Sequence, residues 1–179
     1  LLKNMIKKKQ TSILSDEKII SQFNMLTDFA KENDFFHYEI SNFGKKNFLS
    51  KHNISYWKNK SYLGLGPAAH SYNGVSRSWN ISSNKEYIKH IEANKKHHTI
   101  EHLNIKEKYN EYIFTNLRTM WGVNKNELKT IFGENIYLKF KSEALKWMMS
   151  EHLLKEKNLF ILSNKGKLFA DKISADLFL

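Results

Sequence analysis

The sequence predicts an α+β fold: a short α/β fragment followed by a mainly helical domain of winged-helix-like order. Three observations predict it. Apolar residues recur at helical spacing over 16–33 and then alternate over 36–40, a helix leading into a strand. Asn73-Gly74 stands between two short apolar runs and is the strongest hairpin signal in the chain. From about Asn84 the pattern is helical, and after three helices it meets a small β element at 159–162.

Residues 1–14 are basic and aperiodic, and read as the continuation of an upstream segment. Ser15 or Asp16 can cap the first clear helix, and Asp16 and Glu17 suit its positive end. Ile19, Phe23, Leu26 and Ala30 form its expected inward stripe, and Asn33-Asp34 stops it. Phe36, Tyr38 and Ile40 then alternate with His37, Glu39 and Ser41, which is strand spacing. Residues 42–60 carry no period and read as a long irregular segment, the kind that is often functional. Tyr62 to His70 is a short apolar strand running into a Gly/Pro turn, and a hairpin follows over 69–79. A short helix is predicted over 84–94, with His97-His98-Thr99 as a junction. A longer helix over 104–121 should bury Tyr109, Tyr112, Ile113, Leu117 and Met120. Asn124 caps a short helix that Gly133 ends. A third helix over 137–153 points Leu138, Leu145, Met148 and Met149 inward. The strand at 159–162 turns at Asn164-Lys165-Gly166, and a last helix carries Leu168, Phe169, Ile173 and Leu177.

The 179 residues carry 29 Lys+Arg against 18 Asp+Glu, a formal net charge of +11. Only Arg77 and Arg118 are arginines. Arginine supplies the planar fork that reads guanine and clamps phosphate, so lysine scattered over solvated faces is weak evidence for a polyanionic partner. A winged-helix nucleic-acid module is the alternative that the helix order allows. Against it, the expected recognition helix spends its length on core residues and contains Glu143. Cysteine is absent, which excludes a disulfide, a thiol nucleophile and a thiolate-held zinc or iron–sulfur site within these residues. No apolar run approaches the roughly 20 residues that cross a bilayer. The chain opens on Leu1-Leu2-Lys3-Asn4, with neither an initiator Met nor a signal-peptide core, and is expected to be part of a longer protein.

The densest group of functional side chains is His52-Asn53-Ile54-Ser55-Tyr56-Trp57. A neutral imidazole is a good axial ligand for haem iron, and flat rings stack on a porphyrin face. The Asn53 amide and Tyr56 hydroxyl can meet propionates or orient the imidazole. The plainer reading is that aromatic residues pin a loop and that a loop histidine faces water. Gly64-x-Gly66 permits close backbone approach but completes no dinucleotide fingerprint, because Ala69 stands where a third glycine belongs. Tight packing is the better reading of the pair. His37 and His70 would converge with His52 if their strands were neighbours in one sheet. Glu39 has no partner carboxylate at an interpretable spacing, and His97, His98 and His102 read as a solvated junction.

Three motifs then stand in order: His37-Tyr38-Glu39-Ile40-Ser41-Asn42-Phe43, His52-Asn53-x-x-Tyr56-Trp57, and Tyr62-Leu63-Gly64-Leu65-Gly66-Pro67-Ala68-Ala69-His70-Ser71. Together with Leu162-Ser163-x-x-Gly166, Ala170-Asp171-x-Ile173 and Asp176-Leu177-Phe178, they resemble the second half of HemW-type proteins. These are radical-SAM relatives of oxygen-independent coproporphyrinogen III oxidase. The resemblance implies the last elements of an incomplete (β/α) radical-SAM barrel with its linking segment over 1–83. A connecting helix over 84–97 and a winged-helix-like C-terminal domain over 98–179 would follow. It implies haem binding by His52, Asn53, Tyr56 and Trp57, with His52 the axial ligand, and a candidate pocket of His37, Glu39, Gly64, Gly66 and His70. It also implies a haem chaperone that serves haem-accepting respiratory proteins in the cytoplasm or at the inner face of the membrane. A truncated barrel is expected to expose strand edges and apolar faces toward its missing part, a surface through which the chain could dimerise. The family's Cys-x-x-x-Cys-x-x-Cys motif is missing, so the [4Fe–4S] cluster and S-adenosylmethionine belong to an N-terminal half, and this chain alone should be inactive. A fragment of a coproporphyrinogen oxidase is the enzymatic alternative, which the His-Asn-x-x-Tyr-Trp motif disfavours.

Overall fold

The computed structural model describes residues 2–8 and 14–179, with the side chains of residues 2 and 3 left aside. It divides into two compact units, 1–49 and 50–179. In the first, helix α1 (Leu2–Lys7) precedes α2 (Asp16–Glu32), and strands β1 (Phe35–Glu39) and β2 (Asn42–Lys45) form an antiparallel hairpin. Part of the aperiodic stretch 1–14 is thus helical, while residues 1 and 9–13 lie outside the described residues. Ser15 caps α2 by accepting the Lys18 N–H, as the sequence predicts. The inward stripe is not realised. Ala30 is buried, Phe23 is half-buried, and Ile19 and Leu26 are 45% and 52% exposed. One hairpin offers too little surface to cover a helix of this length.

The second unit corrects the irregular reading of 42–60. Beyond β2, residues Lys51–Trp57 form helix α3, capped by the Ser50 hydroxyl at the Asn53 N–H. The predicted hairpin is present as β3 (His70–Tyr72) and β4 (Ser76–Asn80). Its turn is held by Asn73 Oδ1, which accepts the Val75 and Ser76 N–H groups at 2.9 and 2.7 Å. Helix α4 (Asn84–Glu92) leads to β5 (His98–His102), which pairs along β4. The expected junction at 97–99 is therefore the start of a third strand, because the open edge of β4 gives this polar segment its hydrogen bonds.

The remainder runs α5 (Ile105–Leu117), β6 (Val123–Asn124), α6 (Lys125–Phe132), α7 (Glu134–Met149), β7 (Leu153–Glu156), β8 (Leu159–Leu162), α8 (Asn164–Lys167) and α9 (Ala170–Asp176). Three helices against a sheet of order β6-β8-β7 give the winged-helix-like arrangement. The other sheets are the β1-β2 pair and the β3-β4-β5 set, and no barrel closes among the described residues. Tyr109 and Tyr112 of α5 are buried, and their hydroxyls meet the Leu177 carbonyl at 2.9 Å and Glu127 at 3.1 Å. Burial holds both phenols above the ordinary tyrosine range.

Helix α7 faces differently from the sequence reading. Tyr137, Phe140 and Ala144 are buried, whereas Leu138, Leu145 and Met149 are 52%, 49% and 85% exposed. Both stripes are apolar, and the aromatic one removes more surface from water. Leu153 begins β7 instead of ending the helix, and Met120 lies beyond the end of α5, 40% exposed. The last helix is split into α8 and α9 at Leu168-Phe169. A full capping box starts α5, with Asn104 Oδ1 accepting the Glu107 N–H and Glu107 accepting the Asn104 N–H. Asn104→Ala is expected to cost about 1 kcal/mol, read as a shift in denaturant midpoint at unchanged m-value. No helix among the described residues is long and apolar enough to cross a membrane.

Candidate functional site

His52, Asn53, Tyr56 and Trp57 all lie on α3, where their spacing makes two i,i+4 pairs on one side of the helix. The His52 and Tyr56 rings meet edge-on, 4.9 Å between centroids. His52 and Tyr56 are exposed, while Asn53 and Trp57 are half-buried. The motif thus has an outer histidine–tyrosine row and an inner asparagine–tryptophan row.

A seven-residue helix does not stand on propensity alone, so its position is set by what it packs on. The Arg118 guanidinium lies 5.7 Å from the Trp57 ring centroid and 5.0 Å from that of Phe114, and pairs with Asp171 on α9. The Lys58 ammonium sits 4.5 Å over Trp121, and the Asn59 amide reaches Thr115 Oγ1 at 3.5 Å. Cation–π contacts of this kind are worth about 0.5–2 kcal/mol each, more where water is excluded. Together they moor α3 to the C-terminal end of α5.

A cavity of about 280 Å³ opens beside the inner row, lined by Asn53, Tyr56, Trp57, Tyr62, Tyr72, Arg77 and Glu111. Tyr56 meets Tyr62 at 4.8 Å, and Tyr62 meets Tyr72 at 6.4 Å between centroids. The backbones of Tyr62 and Tyr72 exchange hydrogen bonds of 2.8 and 2.9 Å. Arg77 of β4 donates to Glu111 of α5 across the cavity wall. Burial raises the Tyr62 and Tyr72 phenols, partly offset by the Arg77 charge, so both remain protonated donors at neutral pH. Arg77, Glu111, Tyr62 and Tyr72 were not legible as site residues, because they come from elements far apart in the chain.

The other candidates have local partners. Gly64 serves tight packing: a β-carbon there would fall 2.1 Å from the His70 carbonyl oxygen, whereas one on Gly66 would meet nothing within 4 Å. Gly66 has φ 97° and its carbonyl accepts from the Asn80 amide at 2.8 Å. His70 is exposed, tilted over Trp79, and lines a separate cavity with Ala68, Trp79 and Asn80. His37 and Glu39 belong to the first unit. The His37 ring stacks on Phe43 at 4.1 Å and its Nε2 lies 2.9 Å from the Ile40 carbonyl. Glu39, 3% exposed, accepts the Ser41 N–H at 3.1 Å and the Asn42 amide. β1 and β3 lie in different sheets, so the condition for their histidines to converge is not met. Among the described residues no three His, Asp or Glu side chains gather to hold a metal ion.

No protein-family model matches the chain. It is 28% identical over 172 residues to the heme chaperone HemW of Bacillus subtilis, covering 95% of this chain and 45% of that protein. It is 30% identical over 153 residues to the heme chaperone HemW of Lactococcus lactis, covering 85% of this chain and 40% of the relative. The chain therefore spans less than half the length of these relatives. Among solved structures, the Escherichia coli coproporphyrinogen III oxidase HemN, described as a radical SAM enzyme, superposes with a TM-score of 0.70. The match covers 92% of this chain and 42% of that one at 10% identity, a likeness of fold alone. The α+β arrangement with its open sheets and winged-helix-like end agrees with that fold. By sequence over most of its length the chain is similar to the heme chaperones HemW, and by fold to part of coproporphyrinogen III oxidase HemN.

Proposed function

We propose that this chain is the haem-holding part of a HemW-like haem chaperone, with His52 the axial ligand of the iron. The observation that carries the reading is the placement of the motif on α3. An exposed imidazole stands one turn from an exposed tyrosine, above a half-buried tryptophan fixed by Arg118. An imidazole at the surface can offer its lone pair to an incoming iron without unfolding its surroundings. Tyr56 supplies a flat face beside it, and Asn53 an amide that can donate or accept. Exposure also suits a protein that must release what it binds, since a fully enclosed haem leaves slowly.

The complete protein, in this reading, passes haem to haem-requiring respiratory proteins in the cytoplasm or at the inner membrane face, and a homodimer of this chain would form through the strand edges and apolar faces that its missing barrel part otherwise covers. Its [4Fe–4S] cluster and S-adenosylmethionine belong outside this chain, which has no cysteine to supply a thiolate. An oxidase fragment has only the fold likeness at 10% identity behind it. A nucleic-acid module is disfavoured because α7, in the place of a recognition helix, presents Leu138, Leu145 and Met149 outward.

Haem titration of the complete protein, followed by its Soret band, tests the proposal. His52→Ala should shift the band to that of weakly ligated haem and weaken binding at least tenfold. An unchanged band and affinity would remove His52 as the ligand.

A further inference from the structure

The two arginines of this lysine-rich chain both meet the motif: Arg118 stacks over Trp57, and Arg77 lines the cavity beside it. Lysine is the chain's ordinary cation, so a planar fork in both places points to geometry that a point charge cannot supply. Arg118 stacks on Trp57 and Phe114 and pairs with Asp171, and its Nε–H is likewise buried without a hydrogen-bond partner. Of the two, Arg77 is the one on the cavity wall. One of its terminal nitrogens donates to Glu111, while its Nε–H is buried and has no hydrogen-bond partner. Trp57, on the same cavity, carries a second buried N–H without a partner.

Buried donors are rarely left unmade, and each one in a native protein asks for a missing acceptor. Glu111 fixes one edge of the guanidinium and offsets its charge. Tyr72, with its ring centroid 5.8 Å from the guanidinium carbon, covers a face. The fork is thereby oriented before anything binds, with a donor left over. The cavity is too small for a tetrapyrrole ring but ample for a side chain of one, at about 280 Å³.

We infer that this cavity is a carboxylate subsite, in which Arg77 and Trp57 donate to an acid group of the ligand whose ring lies on the His52–Tyr56 row. The inference rests on the haem reading above and makes the acid group a propionate. Glu111 then works against the bound carboxylate, since both share one guanidinium. That repulsion limits affinity and favours release, which is useful in a carrier.

The test compares haem with its dimethyl ester, whose propionates are neutral, on the complete unaltered protein. Haem should bind about tenfold tighter or more, the value of a charge-assisted hydrogen bond. Arg77→Gln should bring haem down to the affinity of the ester while the Soret band keeps its position. Glu111→Gln should tighten haem severalfold relative to the ester. Equal affinities for haem and ester in the unaltered protein, with a His52-dependent Soret band still present, would overturn the subsite and leave the haem reading standing. Absence of haem binding altogether would overturn both.

Discussion

Gly64→Ala should destabilise the chain by about 3 kcal/mol, near the upper end for a small-to-large change in a packed site. The added β-carbon would lie 2.1 Å from the carbonyl oxygen of His70, and 2.8 and 2.9 Å from its carbonyl carbon and nitrogen. All three are backbone atoms, so no side chain can swing aside. The segment must lift off β3. Lifting it breaks the Tyr62–Tyr72 hydrogen bonds of 2.8 and 2.9 Å and the 2.9 Å bond from Gly64 N–H to Ser71 Oγ. Tyr62 would leave the cavity wall with it, so ligand affinity should fall together with stability. Gly66→Ala is the control. Its β-carbon meets nothing within 4 Å, but its φ of 97° strains any other residue, so the loss should be nearer 1–2 kcal/mol. Equilibrium denaturation of the three proteins reads the difference. A Gly64→Ala protein with the midpoint of the unaltered one would show that the close approach to His70 is not made.

The same glycine shows what the sequence alone could convey. Its role was legible as tight packing, because a Gly-x-Gly pair that completes no phosphate loop has few other uses. Elements set by local chemistry were equally legible. Ser15 caps α2, Asn73-Gly74 turns the hairpin, and Asn124 and Gly133 bound α6, because each acts on backbone atoms within four residues. What failed was set at longer range. Helix α3 is too short to show a period, and its mooring to Arg118 and Thr115 comes from a segment some sixty residues on. Strand β5 is polar but for Ile100 and exists because β4 has a free edge. The motif was readable as a group because its members are neighbours in sequence. Arg77 and Glu111, whose pairing shapes the cavity, became visible only when β4 and α5 were brought together.

Phe140→Ala is expected to cost about 3–5 kcal/mol, as for other fully buried phenylalanines. Phe140 is 0% exposed and meets Phe160 of β8 edge-on, 5.0 Å between centroids at 81°, so truncation removes both buried area and a ring contact. The hole lies between α7 and its sheet, where neither element can close in without disturbing the β6-β8-β7 pairing. Leu145→Ala, on the same helix and 49% exposed, should change stability by no more than about 0.5 kcal/mol. The pair decides which apolar stripe of α7 is the inner one, a choice that the periodicity reading made the other way, with Leu138 and Leu145 inward. Comparable losses at both positions, or a larger one at Leu145, would mean that the helix is turned about its axis. Its outward face would then be Tyr137, Phe140 and Ala144. The physical case against that rotation is the area at stake: two aromatic rings would be returned to water in exchange for aliphatic chains of smaller surface.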